Sequence, residues 1–241
     1  MTTLGDWLGR APFGLAMSSG FFSFFAHTGM LSALVERGLL PTHLAGSSAG
    51  ALVGGAYAAG LSPSELADTL ARLERAHFWD PGVGAGLLAG RKFDRMLREM
   101  LPVAAFGATR LPIKISVFDI FARKTAVLAT GDLVDAIRAS CAVPVMFHPV
   151  WIERRPYWDG GILDRPGIAG VPTGRLLFHN IAGPWALPRR ADLVTLVIDA
   201  LPRSGPFKLD AGRRAMKLAR EATLRALDAP IVDDAVIVRA A

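Results

Sequence analysis

Two long stretches without a charged residue constrain the fold of this chain more than any other feature of its sequence. One runs from Ala11 to Val35 and the other from Gly38 to Ser64, and each exceeds the ~20 residues that a membrane-spanning helix needs. Both contain proline, glycine and serine, which are poor components of a continuous apolar span. We therefore predict two buried strand–turn–helix units rather than transmembrane helices. The N-terminus, with Asp6 and Arg10, also lacks the pattern of a secretory signal peptide.

The composition excludes several other classes of protein. Of the 241 residues, 51% are apolar and 20% are charged, which excludes a disordered chain and a coiled coil. A single cysteine, Cys141, cannot form an intramolecular disulfide or a cysteine-based metal cluster. The net charge of +6 and the mean hydropathy of +0.35 favour contact with an anionic surface and an apolar phase. We expect a cytoplasmic protein, with peripheral contact to an anionic membrane left open.

Short apolar strands alternate with helices along the chain. The predicted strands are residues 13–17, 43–46, 113–117, 125–128, 176–179, 193–198 and 235–238, with a hairpin over 150–158. The predicted helices are residues 27–37, 48–59, 62–77, 93–101, 131–139 and 207–227, and residues 80–90 are predicted to form a loop. This alternation is typical of an α/β protein with three α/β/α layers around a mainly parallel central sheet. No repeat or linker interrupts it, so we expect one domain over residues 1–241.

A serine lies at a strand-to-helix turn in the second uncharged stretch. Gly46-Ser47-Ser48-Ala49-Gly50 has the G-x-S-x-G pattern and stands between an apolar strand and a helix of small residues. Such a turn exposes the middle serine, the glycines leave room for neighbouring backbone, and the helix N-terminus favours developing negative charge. Ser48 is therefore the candidate nucleophile. The alternative is a Gly/Ser turn that only caps a helix.

An activated serine needs a base within hydrogen-bonding reach. Asp159 is the candidate, because the two glycines that follow it allow a carboxylate to sit at a tight turn. An ordinary Asp-Gly turn is the alternative. His179 follows Asp159 in the sequence, so a Ser48–Asp159–His179 triad of a carboxylesterase or thioesterase also remains open. No spacing of histidine and acidic residues indicates a metal site.

Several motifs in order resemble the patatin-like phospholipases. They are Ser18 through His27-Thr28-Gly29-Met30-Leu31, the elbow Ala45 to Leu52, Gly86-Leu87-Leu88-Ala89-Gly90 before the 93–101 helix, Ala139-Ser140-Cys141-Ala142-Val143-Pro144, and Trp158-Asp159-Gly160-Gly161-Ile162-Leu163-Asp164. The resemblance implies a serine–aspartate dyad, in which Ser48 attacks a lipid acyl ester and Asp159 is the general base. It implies a hydrolase of lipid degradation that needs no cofactor or metal.

One loop departs from the family pattern. The family has a run of glycines and a basic residue whose backbone N–H groups form the oxyanion hole, and this sequence has Ser18-Ser19-Gly20-Phe21-Phe22-Ser23-Phe24 there. The resemblance implies that the backbone N–H groups of Gly20, Phe21 and Phe22 are the oxyanion donors here. Losing one such donor typically lowers turnover by ~10²–10³. A noncatalytic lipid- or membrane-binding protein with a degenerate loop is therefore the alternative function.

Two features bear on the partner of this chain. Phe21, Phe22, Phe24 and Phe25 can line an acyl-chain pocket, and the alternative is ordinary core packing. The 207–227 helix has an apolar side and a basic side, as do helices that lie on anionic bilayers and core-packed helices with a solvated face. Core packing is the favoured interpretation of the helix. The partner is therefore expected to be a lipid ester; no nucleic-acid motif is present, and the sequence indicates no protein partner.

Overall fold

The computed structural model describes residues 2–171, 173–181 and 188–240. Seven α-helices lie within these residues: α1 (Leu4–Gly9), α2 (Phe24–Glu36), α3 (Ala49–Ala59), α4 (Pro63–Ala71), α5 (Arg91–Met100), α6 (Leu133–Ser140) and α7 (Leu209–Leu227). Eleven strands accompany them: β1 (Gly14–Met17), β2 (His43–Ser47), β3 (Gly86–Leu88), β4 (Ile113–Asp119), β5 (Lys124–Leu128), β6 (Val145–Phe147), β7 (Val150–Ile152), β8 (Arg155–Asp159), β9 (Leu176–Asn180), β10 (Leu193–Asp199) and β11 (Ala235–Arg239). The α/β class is confirmed.

The central sheet is mostly parallel and is flanked by helices, as predicted. Its order is β11-β10-β9-β1-β2-β4-β8-β7, and β5 also pairs with β4. The strands from β11 to β4 run parallel, whereas β5, β7 and β8 add antiparallel pairs at one side. Because β1 and β2 lie at the centre, the turns that follow them open at the carboxyl edge of the sheet, where ligands of open α/β sheets bind.

The core is divided between the two faces of the sheet. Alternate side chains of a strand point to opposite faces. Leu15 and Met17 join the large buried cluster with the helices, whereas Ala16 belongs to a smaller cluster with Phe178, against which Ile168 packs. The helical layer and the segment after β8 therefore bury opposite faces of the same central strands.

The start of α4 illustrates how local sequence fixes an element. Ser62 accepts a hydrogen bond from the backbone N–H of Glu65, and the Glu65 carboxylate accepts one from the backbone N–H of Ser62. This reciprocal capping box, with Pro63 at the first helical position, confirms the predicted helix start. The predicted end at His77 is wrong, because α4 ends at Ala71 and only a 3-10 turn follows at residues 75–77.

Three elements differ from the sequence prediction. Residues 86–88 lie in the segment predicted as a loop but form β3, which pairs in parallel with the unpredicted β6. Helix α1, also unpredicted, begins after Thr3, whose side chain accepts the backbone N–H of Asp6. Within the described residues, no helix is long and apolar enough to cross a membrane. The two uncharged stretches instead contain β1 with α2 and β2 with α3, as predicted.

Candidate active site

Ser48 stands alone at the turn between β2 and α3. Its backbone has φ 52° and ψ −115°, and a positive φ is uncommon for a residue with a side chain. The residue is 8% exposed, and its hydroxyl reaches the cleft described below. Such strain, held by the packing around it, is typical of functional positions. The predicted strand–turn–helix setting of Ser48 is therefore present.

The glycines of the elbow are required by close backbone packing. A Cβ atom on Gly46 would lie 2.7 Å from the backbone nitrogen of Ala51, and one on Gly50 would overlap the carbonyl oxygen of Met17. Any larger residue would therefore push α3 away from β1 and β2. These two glycines allow the helix N-terminus to approach the sheet with Ser48 between them.

Asp159 ends β8 and faces the serine. The Ser48 hydroxyl donates a hydrogen bond of 2.6 Å to Asp159 Oδ2, and the backbone N–H of Gly161 donates one of 2.7 Å to Oδ1. Burial raises the pKa of Asp159 from 3.8 to about 6, against the two hydrogen bonds that lower it. The structure thus brings the two predicted residues together in a nucleophile–base geometry. Position 160 must be glycine, because a Cβ there would overlap the carbonyl oxygen of Ser116.

A second serine fixes the backbone of the elbow. Ser140, the last residue of α6, accepts a hydrogen bond of 2.8 Å from the Ser48 N–H and donates one of 2.7 Å to the carbonyl of Ser116. Cys141 Sγ lies 3.2 Å from the Ser48 carbonyl oxygen, and burial raises the pKa of its thiol well above the ordinary value. Sequence reasoning found no role for Ser140. The only signal was its place in the Ala139–Pro144 motif.

The loop before α2 lines the same cleft as Ser48. Gly20, Phe21 and Phe22 all contribute to the wall, and Phe22 has a positive φ of 55°. Their three backbone N–H groups make no hydrogen bond to any described residue. These N–H groups therefore remain unpaired among the described residues, which is the condition that an oxyanion hole needs.

An apolar cleft extends from the serine toward α4 and α5. It encloses about 780 Å³ of empty space, including the part that is open to solvent. Its remaining lining is almost wholly apolar: Phe24, Ala49, Leu52, Thr69, Leu70, Leu73, Phe78, Phe93, Met96, Met100, Cys141, Val143, Met146 and Phe147. Phe21, Phe22 and Phe24 are thus cleft residues, whereas Phe25 is fully buried in the core. Of the four phenylalanines, three therefore fit the predicted acyl-chain pocket, and Phe25 fits the alternative of ordinary core packing.

The model of the patatin-like phospholipase family matches residues 15–171. The matched region contains β1, the elbow at Ser48, the cleft wall and Asp159. This chain belongs to the patatin-like phospholipase family. The resemblance stated from the sequence motifs is therefore confirmed.

Other relatives agree with this family assignment. Uncharacterized NTE family proteins of Mycobacterium tuberculosis and Mycobacterium bovis are 35% identical over 182 residues, covering 73% of this patatin-like chain and 51% of theirs. The chain spans about half the length of these curated relatives. Among solved structures, VipD from Legionella pneumophila has a TM-score of 0.64 at 15% identity, covering 90% of this chain and 67% of that one. The type III effector protein ExoU has a TM-score of 0.51 at 14% identity, with 90% and 53% covered. Both likenesses concern the fold.

His179 does not join the serine and the aspartate in this patatin-like site. Its Nδ1 lies 2.8 Å from Nδ1 of His27, and His27 Nε2 lies 2.9 Å from the carbonyl oxygen of Ser18. Because the carbonyl can only accept, His27 carries its proton on Nε2 and His179 carries its proton on Nδ1. Burial lowers the pKa of His27 to about 4 and that of His179 well below 6.5. The triad alternative is therefore not assembled, and both histidines are neutral near pH 7.

Helix α7 packs against the core, as the favoured interpretation of its pattern expects. Its small residues Ala215, Ala219 and Ala222 are buried. On its basic side, Arg213 donates to the carbonyl oxygens of Ala71 and Leu73, and Arg220 pairs with Glu36. Part of the positive charge of this helix is therefore engaged within the patatin-like fold.

Proposed function

We propose that this chain is a serine acyl hydrolase that cleaves lipid acyl esters within one patatin-like domain, through Ser48 and Asp159. The observation that carries the proposal is the 2.6 Å hydrogen bond between the Ser48 hydroxyl and Asp159 Oδ2 beside an apolar cleft that Ser48 lines. The family supports lipid hydrolase activity. A dyad without histidine requires the carboxylate itself to move the proton.

The first half of the reaction forms an acyl-enzyme. Ser48 Oγ attacks the ester carbonyl carbon while its proton passes to Asp159 Oδ2. The carbonyl oxygen becomes an oxyanion, which accepts hydrogen bonds from backbone N–H groups of Gly20, Phe21 and Phe22 beside the positive end of α3. When the C–O bond breaks, the leaving alcohol takes the proton from Asp159. The products of this half are the alcohol and an ester of Ser48.

The second half releases the fatty acid. Asp159 Oδ2 accepts a proton from a water molecule that attacks the acyl carbon, and the collapse of the intermediate returns a proton to Ser48 Oγ. A carboxylate with an ordinary pKa is a weak base. Burial raises the pKa of Asp159 to about 6, which brings the base closer to the operating pH. The Gly161 N–H holds Oδ1 and leaves Oδ2 directed at the serine.

The cleft supports a lipid as the substrate. Apart from Thr69 and the residues of the elbow, its walls carry aliphatic, aromatic and sulfur-containing side chains. Such walls bind an acyl chain through burial of apolar surface. They offer few hydrogen-bond partners to an ester whose acid part is polar. We therefore assign the cleft to the fatty acyl chain of the ester.

Covalent labelling by a fluorophosphonate, followed by intact-mass measurement, tests the nucleophile directly. The native chain should gain one adduct, which Ser48→Ala abolishes and Asp159→Asn slows by at least about a hundredfold, the usual contribution of a general base. Ser47→Ala is the matched control, because Ser47 is the adjacent buried serine and its hydroxyl has no hydrogen-bond partner among the residues that the structure describes. It should be labelled like the native chain. A folded native chain without an adduct, or an adduct that persists in Ser48→Ala, would refute the proposal.

A noncatalytic lipid-binding protein is the second candidate function. The observation that favours it is the loop of residues 18–24, which retains one glycine and holds Phe22 at a positive φ. Vesicle binding without turnover of any lipid ester, unchanged by Ser48→Ala, would support this candidate over the hydrolase.

A further inference from the structure

Five apolar side chains on the segments that line the cleft, or that adjoin those segments, are at least half exposed. We call them the mouth rim: Phe21, Val83, Leu87, Val145 and Phe207. Monomeric proteins seldom expose a contiguous group of large apolar residues, and such groups mark interaction sites. The contacts of the segments that carry these side chains relate them to the cleft wall.

One side of the mouth rim is attached to the loop of the oxyanion donors. Phe21 itself lines the cleft, and its ring lies against Gly205. The Ser204 hydroxyl donates a hydrogen bond of 2.9 Å to the carbonyl of Phe22. This bond fixes the segment that carries Phe207 next to the cleft.

The other side of the mouth rim is built by the small β3–β6 sheet. Gly86 pairs with Val145 and Leu88 with Phe147, so Leu87 and Val145 lie on adjacent strands of this sheet, and both side chains are exposed. Met146 and Phe147 of the same strand line the cleft. Exposed apolar residues thus adjoin two separate segments of the cleft wall.

Val145 is an outlier that folding stability does not explain. It has a φ of +69° and is 81% exposed. A β-branched residue at positive φ is strained, and glycine or asparagine would be more stable there. Exposure denies the side chain any compensating burial in the free protein. A partner that buries Val145 would supply that compensation.

Positive charge accompanies the mouth rim on the Phe207 side. The Arg75 guanidinium lies 4.8 Å from the centre of the Phe207 ring and 5.5 Å from that of Trp79. Arg203 and Lys208 flank Phe207 in the sequence and are exposed. The acids on this side are Asp80, which accepts the backbone N–H groups of residues 90–92, exposed Glu74, and Asp210, which pairs with Arg213. The balance of charge on this side therefore suits an anionic partner.

We propose that the mouth rim docks on the surface of an anionic phospholipid bilayer. Apolar side chains flanked by arginine and lysine are the composition of surfaces that lie at the boundary between headgroups and acyl chains. Docked in this way, the cleft faces the bilayer, and an acyl chain passes from lipid into protein without crossing water. The inference rests on the proposed function for the role of the cleft, but docking itself needs no catalysis.

Cosedimentation with sucrose-loaded vesicles tests the docking surface. The protein carries Ser48→Ala so that the vesicles are not hydrolysed, and the vesicles contain phosphatidylcholine with about a third phosphatidylglycerol. Leu87→Ser/Phe207→Ser should lower the partition coefficient at least about tenfold, because the variant no longer buries these two large apolar side chains in the bilayer. Leu40→Ser/Ile237→Ser is the matched control: both residues are similarly exposed, Leu40 precedes β2 at the end opposite Ser48, and Ile237 lies on edge strand β11. It should bind within twofold of its parent.

A second variant and a second lipid keep the proposal falsifiable. Val83→Ser/Val145→Ser changes the other side of the mouth rim and should also weaken binding, with a circular dichroism melt at or above that of the parent showing that each variant folds. Vesicles of phosphatidylcholine alone should bind at least about tenfold more weakly. Equal loss in the control, no loss in either mouth-rim variant, or equal binding to neutral vesicles would overturn the proposal. So would self-association that the mouth-rim variants abolish, since the occupant would then be a second copy. Because Ser48→Ala is used throughout, failure here is distinct from failure of the labelling experiment.

Discussion

The buried carboxylate of Asp159 should cost the folded protein stability at neutral pH. Burial raises its pKa from 3.8 to about 6. Between these two values the folded chain keeps a proton that the unfolded chain has released, so the contribution of Asp159 to the free energy of unfolding falls as the pH rises. A shift of about two pKa units corresponds to roughly 3 kcal/mol once the pH exceeds the folded-state pKa. Asp159→Asn removes this pH-dependent cost.

Urea unfolding of the native chain and of Asp159→Asn, followed by tryptophan fluorescence from pH 4 to pH 7.5, measures the effect. The difference in unfolding free energy should shift by roughly 2.5 kcal/mol in favour of the variant across this range, because the unfolded-state carboxyl is already partly ionised at pH 4. His27 and His179 titrate in both proteins, so their contributions cancel in the difference. Ser48→Ala is the companion variant: it removes a hydrogen bond that lowers the pKa of Asp159, and its stability should fall more steeply with pH. Parallel curves for the native chain and Asp159→Asn would refute the reasoning.

The same geometry determines two further responses. Hydrolysis of a water-soluble p-nitrophenyl ester should show kcat/KM rising about tenfold per pH unit below pH 6 and levelling above it, because only ionised Asp159 accepts the serine proton; a flat profile down to pH 4.5 would contradict the assigned base. Gly50→Ala should lower the free energy of unfolding by at least about 2 kcal/mol, because its Cβ would overlap a backbone carbonyl of β1. Gly107→Ala is its control in the same urea titration, since no atom lies within 4 Å of the added Cβ, and equal losses in both would contradict the packing argument.

The parts of the fold that could be predicted are those that local sequence determines. The capping box at Ser62 and Glu65 fixed a helix start by interactions three residues apart. The elbow was predictable because glycines on both sides of a serine, between an apolar strand and a helix, are typical of a sharp strand-to-helix turn. The carboxylate partner was predictable only through the order of motifs, since Asp159 lies 111 residues away from Ser48.

The parts that escaped prediction depend on contacts between distant segments. Residues 86–88 lie in a glycine-rich segment that carries the local signals of a loop, and they become a strand only because β6, nearly sixty residues later, pairs with them. The hydrogen bond between His27 and His179 joins residues 152 positions apart. Without that pairing in view, the position of His179 after Asp159 equally allowed a triad.

Two carboxylates five residues apart differ in their surroundings, and the difference separates the proposed base from a group that stabilises the fold. Asp164 accepts hydrogen bonds from the Ser116 hydroxyl and from the backbone N–H groups of residues 167–169. Its oxygens are occupied in holding the segment after β8 against the sheet. Asp159 accepts one backbone N–H and the hydroxyl of Ser48. Because Asp159 has few partners and is buried, its charged form is disfavoured relative to a carboxylate in water, and taking up a proton relieves this cost. The sparse hydrogen bonding of Asp159 therefore suits it to the role of base that we propose.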